Sequence, residues 1–415
     1  MKKLAFFAIL GLLLAGCSKG DYVYAPDGYY KDGGGSYDAE YASEMGGEAG
    51  EPGESGEPGE SEEGEPEEPV GQSGVLTAGE WNDLDNWKFW GGLMTDSFKD
   101  YFFYWGMNTS RRIAVSVTDG TNPVQGAKVE LVSAEGKTLW TSVTDNTGTA
   151  NLWADAFVEE GQTSVETCTV SINGTAMAGN PVVSDWSAEE AVTWNAYEIS
   201  AMAAPKIADV AFIVDATGSM GDEIDFLKED LLDILQKVAQ TQTGKTIYTG
   251  TVFYRDKGDS YVTRVSEFTS KISETVNFVK KQSADGGGDL PEAVHSALEV
   301  SLSKLQWHGE GCPSIAFLIL DAPAHVDHKG VIESLQKSVA SYSAKGIKLI
   351  PVFCSSGDKT CEFMCRDFAI LTGGTYVFLT DDSGVGGEHV TPSVGDYKVE
   401  KLGDLVIRLI NKYLS

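Results

Sequence analysis

Asp215-Ala216-Thr217-Gly218-Ser219 places one carboxylate and two hydroxyls at every second position of a short stretch. Oxygens spaced in this way on a turning loop can converge on a hard cation. Helix capping is the plainer use of Asp, Thr and Ser, but a cap accounts for one of the three residues and leaves two without a purpose. Asp321 follows the apolar run of residues 315–320. If that run lies parallel and adjacent to the run ending in Asp215, two carboxylates meet, and they repel unless a cation lies between them. Nucleophilic chemistry at Ser219 finds no support, because its flanks are not Gly-x-Ser-x-Gly and no histidine is placed by motif. His325 and His328, in Ala322-Pro323-Ala324-His325-Val326-Asp327-His328, are read as the rim of the same site, as ligands of a softer metal, or as exposed loop residues without a role, the last being the commonest use.

Strand ends must hold these residues. From Lys206 onward, apolar runs at residues 210–214, 247–254, 315–320, 347–353 and 376–379 read as buried strands. Helical patterns run over residues 220–239, 291–305, 330–344 and 399–414. The alternation predicts an α/β fold with a doubly wound sheet. In such sheets ligands sit beyond the carboxyl ends of the strands, near the reversal of strand order, and both Asp215 and Asp321 fall at such ends.

The order Asp215-x-Thr217-x-Ser219, with Asp321 closing a later strand, resembles the von Willebrand factor A domain over residues 206–415. The resemblance implies a Rossmann-like doubly wound sheet with a metal-ion-dependent adhesion site. In that site Asp215, Thr217, Ser219 and Asp321 would ligate Mg²⁺ or Mn²⁺, with Ca²⁺ a further candidate, and one position stays open for the carboxylate of a protein partner. The family's second motif supplies a threonine, but the corresponding stretch is Asp285-Gly286-Gly287-Gly288-Asp289-Leu290-Pro291-Glu292-Ala293, which puts Leu290 there. Leucine cannot ligate. Asp289 beside it either gives the metal a third carboxylate or caps the helix that Pro291 opens, two readings of equal weight. A phosphate loop is not expected, since no Gly-Lys-Ser/Thr follows the glycines.

Residues 75–205 read as an all-β sandwich domain. Apolar and polar residues alternate around Val115, Val129 and Trp140, with turn clusters at Asp119-Gly120, Glu135-Gly136 and Asn146-Thr147-Gly148. Pro123, Gly126-Ala127-Lys128-Val129 and Thr144-Asp145-Asn146-Thr147-Gly148 resemble the carboxypeptidase-regulatory-like module, which implies a spacer or interaction domain without chemistry. Ahead of it Trp81, Trp87, Phe89, Trp90, Phe98, Tyr101, Phe102, Phe103, Tyr104 and Trp105 crowd together. They are a sugar-stacking platform or, as expected for large rings, core packed onto the following domain.

The chain of 415 residues has a formal net charge of −31, which makes nucleic acid a poor partner. About half of that charge lies in residues 21–74, where 16 acids face one base. Residues 17–74, rich in Glu, Gly and Pro, bury too little apolar surface to fold, so a disordered acidic tether is expected, with a reach of roughly 45 Å. In front of it, Lys2-Lys3, the apolar residues 4–14 and Leu14-Ala15-Gly16-Cys17 resemble a lipoprotein signal. The resemblance implies cleavage after residue 16, acylation of Cys17, anchoring to the outer membrane of a Bacteroidetes-like cell envelope, and surface exposure.

Cys168, Cys312, Cys354, Cys361 and Cys365 remain, an odd number for an oxidising location, with a bond from Cys354 to Cys361 or Cys365 as the expected pairing. Together these features predict a non-enzymatic, adhesion-type envelope lipoprotein that binds a protein or other extracellular ligand through a divalent cation. The alternative is an envelope scaffold or assembly subunit that docks partners without metal. A metal-dependent hydrolase is disfavoured, because no acid–base set surrounds the motif.

Overall fold

The computed structural model describes residues 76–157, 163–186, 192–288, 290–309, 311–354, 357–383 and 391–415. The leader of residues 1–16, Cys17, the acidic residues 17–74 and Asp289 lie outside the described residues.

Among the described residues the chain opens with β1 (Thr77–Trp81), α1 (Trp87–Thr95) and α2 (Tyr101–Trp105). There follow β2 (Arg111–Thr118), β3 (Lys128–Val132), β4 (Thr138–Val143), β5 (Thr149–Trp153), β6 (Thr169–Ile172), β7 (Thr175–Ala176), β8 (Ser184–Asp185) and β9 (Trp194–Glu198). The second half runs β10 (Ile207–Asp215), α3 (Gly221–Thr241), β11 (Thr246–Tyr254), β12 (Thr263–Thr269), α4 (Ile272–Val279), α5 (Val294–Lys304) and β13 (Ser314–Leu320). It ends with α6 (Val331–Lys345), β14 (Ile347–Phe353), α7 (Lys359–Thr372), β15 (Tyr376–Thr380), β16 (Glu400–Lys401) and α8 (Leu402–Leu414).

The large sheet has the order β12-β11-β10-β13-β14-β15-β1-β16. Its five inner strands β11, β10, β13, β14 and β15 are parallel, and β13 and β14 are buried at every residue. Such strands carry unbroken apolar runs because helices cover both faces of the sheet. On one face Ile224, Leu227, Leu231 and Leu235 of α3 and Leu405 and Leu409 of α8 pack with Val210, Phe212 and Phe317 of the strands. This is the doubly wound α/β architecture expected from the alternation of runs.

The other face shares one apolar cluster with the sandwich, in which Ile113, Leu131 and Trp153 join Leu335, Phe363 and Phe378. The sandwich consists of β5-β2-β8, with β9 also on β2, against β4-β3-β6-β7. Its β4 meets α6, where the Trp140 indole donates to Ser343 Oγ at 3.0 Å and Ser343 Oγ donates to the Thr141 carbonyl at 3.0 Å.

The expected sandwich domain of residues 75–205 therefore needs correction at its front end. β1 belongs to the large sheet, antiparallel between β15 and β16, with Thr77 opposite Thr380 and Trp81 opposite Tyr376. The aromatic stretch after it is core shared by both halves: Trp87 packs on Trp153 of β5 at 5.8 Å, as expected of rings lying against the following domain, and the Phe363 ring of α7 stacks on Trp90 at 5.9 Å and on Tyr101 at 5.7 Å. Arg366, fully buried on the same helix, donates to both carboxylate oxygens of Asp83 at 2.9 and 2.6 Å and to Glu362 at 3.1 Å. Covered on this side as well as by the sheet, α7 is buried from Cys361 to Thr372. Its charged residues Glu362, Arg366 and Asp367 are buried with the rest, so no solvent-facing stripe announces it. Asp358 starts it by accepting from the Cys361 amide at 2.7 Å, and Gly373 ends it at a φ of 73°.

All five cysteines among the described residues are free thiols, which overturns the expected bond from Cys354. Cys361 and Cys365 sit one turn apart on buried α7, their thiols interacting without a disulfide.

Candidate metal centre

The sheet register brings the two aspartates together. Val214 of β10 lies opposite Ile319 of β13, so Asp215 ends its strand level with Leu320, and Asp321 follows one residue on. The connection from β10 to β11 runs one way and the sheet continues through β13 the other way, which makes this the switch point of strand order. After Asp215 the chain turns sharply. The Thr217 amide and hydroxyl both donate to Asp215 Oδ1, at 2.9 and 2.7 Å. Ser219 is exposed in the short turn of Gly218–Met220 that leads into α3, and its hydroxyl is near enough to Asp321 to favour the charged carboxylate there. The structure thus assembles Asp215, Thr217, Ser219 and Asp321 at one strand end.

A third carboxylate joins them. Glu292, 4% exposed, is held by its amide, which donates to the Pro323 carbonyl at 2.8 Å, and by a bridge to Ala324. The predicted helix start at Pro291 is not observed: α5 begins at Val294, and the extended residues before it turn Glu292 inward while Leu290 stays exposed. Nothing in the sequence distinguishes this acid from a helix-opening one.

Burial, and then the charge of Asp321, push the Asp215 carboxyl up to about 7 against the opposing hydrogen bonds of Thr217 and a weaker contribution from the Tyr254 hydroxyl. That hydroxyl lies near Asp215 without a fully formed hydrogen bond. Asp321 is raised, chiefly by burial. Glu292 is pushed up to about 9, by burial first and then by Asp215, Asp256, Asp259 and Asp321.

Each of the three acids also keeps one buried oxygen without a hydrogen-bond partner: Asp215 Oδ2, Asp321 Oδ1 and Glu292 Oε2. A buried acceptor left unpaired costs on the order of 1–3 kcal/mol, and more when charged. Three of them around one strand end fit a divalent cation, which supplies what the protein does not. The donors are all oxygen, the set suited to Mg²⁺, Mn²⁺ or Ca²⁺.

Two further residues frame the site. Arg255, after β11 and 3% exposed, donates to the Ala216 carbonyl at 2.9 Å, the Ser283 carbonyl at 2.8 Å, Ser260 Oγ at 3.2 Å and Asp285 at 3.3 Å. Its charge is spent on fastening three loops together. The Gly286 carbonyl accepts from the Gly218 amide at 3.1 Å, and the Gly287 amide donates to Asp259 at 3.1 Å. Gly286 has a φ of +84°, and a Cβ there would lie 2.5 Å from Asp259 Oδ1. The glycines that do not make a phosphate loop instead let this segment close over Thr217.

His325 differs from the expected exposed histidine. It is 3% exposed, and its Nε2 lies 2.9 Å from Asp256 Oδ1, because the turn after Asp321 folds back under the loop that follows β11.

Residues 209–359 match the family model of the von Willebrand factor A domain. The chain carries such a domain, which supports a protein-interaction or adhesion-type role. An ariadne-like RING finger protein of Acanthamoeba polyphaga mimivirus is 36% identical over 119 residues, 29% of this chain and 11% of the relative. The alpha-protein kinase vwkA of Dictyostelium discoideum is 30% identical over 151 residues, 36% of this chain and 23% of the relative. The chain thus spans only a small part of either relative's length. Among solved structures it is similar to an aerotolerance-related membrane protein from Bacteroides fragilis NCTC 9343, at 16% identity and a TM-score of 0.30, over 49% of this chain and 99% of that one.

Proposed function

We propose that this protein binds a protein or other extracellular ligand, non-enzymatically, through a divalent cation held by Asp215, Thr217, Ser219, Asp321 and Glu292. The observation that carries the reading is the trio of buried, unpartnered carboxylate oxygens at the switch point. A bound Mg²⁺ or Mn²⁺ would supply a Lewis-acidic position to which a partner's carboxylate adds. The chain's own groups orient and balance that charge: Thr217 fixes Asp215 by two hydrogen bonds, and Ser219 stands exposed at the mouth. In this reading Cys17 carries a lipid, the acidic residues 17–74 form the tether, the sandwich is a spacer, and the domain is displayed from the outer membrane.

The test is calorimetric titration of the chain with Mg²⁺ and Mn²⁺. The whole chain is used because a piece starting at residue 206 would lack β1 of the sheet. Saturable binding that Asp215→Ala abolishes is expected; no binding, or binding indifferent to that change, sinks the metal mechanism. Leu290, exposed where the resemblance expects a ligand, favours the second reading, a scaffold whose domain docks partners without metal. Envelope partners retained in chelator would establish that reading, and partners lost in chelator the first.

A further inference from the structure

We propose that His325, Asp327 and His328 form a second cation site, suited to a borderline transition metal of the zinc class and separate from the oxygen-lined centre. One ligating atom from each of the three lies within 4.8 Å of the others. The two imidazoles stand stacked, 4.3 Å between centroids and 6° between planes, so their in-plane lone pairs run parallel and the exposed His328 ring turns out of the stack to share an ion with His325. Local backbone bonds hold the two residues on one turn: the His328 amide donates to the His325 carbonyl at 3.2 Å and the Val331 amide to the His328 carbonyl at 3.1 Å. Gly330, at a φ of 86°, then releases the chain into α6.

The buried member of the trio is oriented from behind. A carboxylate only accepts, so in the contact with Asp256 the hydrogen belongs to His325 Nε2. The lone pair then resides on the other ring nitrogen, which is the tautomer a metal requires, and a carboxylate behind a ligating histidine is a recurrent support of metal sites. Asp327 and His328 are exposed, so a cation enters from solvent and the two side chains are free to close on it. Tetrahedral zinc would draw the three donor atoms to about 3.3 Å from one another, a short movement for two surface side chains. Imidazole donors separate this site chemically from its neighbour, where every donor is oxygen and Mg²⁺ is at home. Three protein ligands leave a coordination position for water or for a partner's side chain.

The experiment loads the chain with Zn²⁺, and in parallel with Co²⁺ as a spectroscopic stand-in, in a large excess of Mg²⁺. One equivalent is expected to bind, with cobalt d–d bands and no thiolate charge-transfer band, since the cysteines take no part. His328→Ala and Asp327→Asn, both on the surface, are expected to weaken binding by about 10- to 100-fold, and Asp256→Asn by about tenfold. Asp215→Asn leaves this binding unchanged while removing that of Mg²⁺. No uptake of Zn²⁺ by the wild-type chain, a thiolate band, or an affinity unmoved by His328→Ala overturns the proposal.

Discussion

Replacing Asp215 by Asn should make the metal-free protein more stable at neutral pH while depriving it of its cation. The folded-state carboxyl titrates at about 7, against 3.8 for the free group. The sign follows from proton binding: between those values the folded state holds a proton that the unfolded chain has released, so stability falls as pH rises through the window. For a side chain fully shielded from solvent the difference corresponds to about 4 kcal/mol, complete above pH 7 and absent below about pH 4. Asn keeps the oxygen that accepts from Thr217 and removes the ionisation. Urea unfolding of wild type and Asp215→Asn in chelator, from pH 4 to pH 8, reads this group together with the part of the Glu292 shift that the Asp215 charge causes. The variant's advantage should grow from near zero at pH 4 to about 4 kcal/mol at pH 8. Added Mg²⁺ at a hundredfold excess over Kd should then stabilise the wild type by about 2.7 kcal/mol and the variant by far less. A difference that stays flat across pH, or a variant less stable at pH 8, refutes the buried-carboxylate account of the site.

Three other outcomes are expected. Gly286→Ala, with φ at +84° and its new methyl directed at Asp259, should cost about 1–2 kcal/mol in urea unfolding and weaken Mg²⁺ binding in calorimetry, because the loop over Thr217 can no longer close. Arg366→Met leaves Asp83 buried without its cation and Glu362 with Lys359 alone and should destabilise by about 3–5 kcal/mol, read by the same unfolding assay. With Ellman's reagent and no reductant, Cys168, Cys312, Cys354, Cys361 and Cys365 should all react in denaturant; in the native protein the partly exposed Cys312 should react first.

The parallel strands could be read from the sequence because burial on both faces writes each as a continuous apolar run, as in residues 315–320 and 347–353. Asp215, Thr217, Ser219 and Asp321 followed, since their positions are strand ends. What escaped has physical causes. α7 has no solvent face: its charged residues Glu362, Arg366 and Asp367 are buried, and its other side is covered by aromatic rings from a distant part of the chain. β12 is half-exposed along its length, an edge strand without an apolar run. β1 is five residues whose partner lies some three hundred positions away. Glu292 and Arg255 gained their roles from loops meeting in space, and no local spacing records such a meeting. The burial of His325 likewise depends on Asp256 from another loop.

The place of β1 also sets the order in which this chain can be made. Its pairing with β15 and the stacking of Trp90 on Phe363 join the first described element to one of the last. Trp87 has its partner Trp153 once β5 is made, but Trp90, Phe98 and Tyr101 must wait for Phe363 of α7. At about 5–20 residues per second, the roughly 270 residues between Trp90 and Phe363 take about 15 to 55 seconds to appear. For that interval the rings of Trp90, Phe98 and Tyr101 lack the Phe363 ring on which they pack in the folded chain. The contact that unites the two halves of the molecule is thus of very high contact order, and the emerging chain is most exposed to aggregation before its last hundred residues arrive.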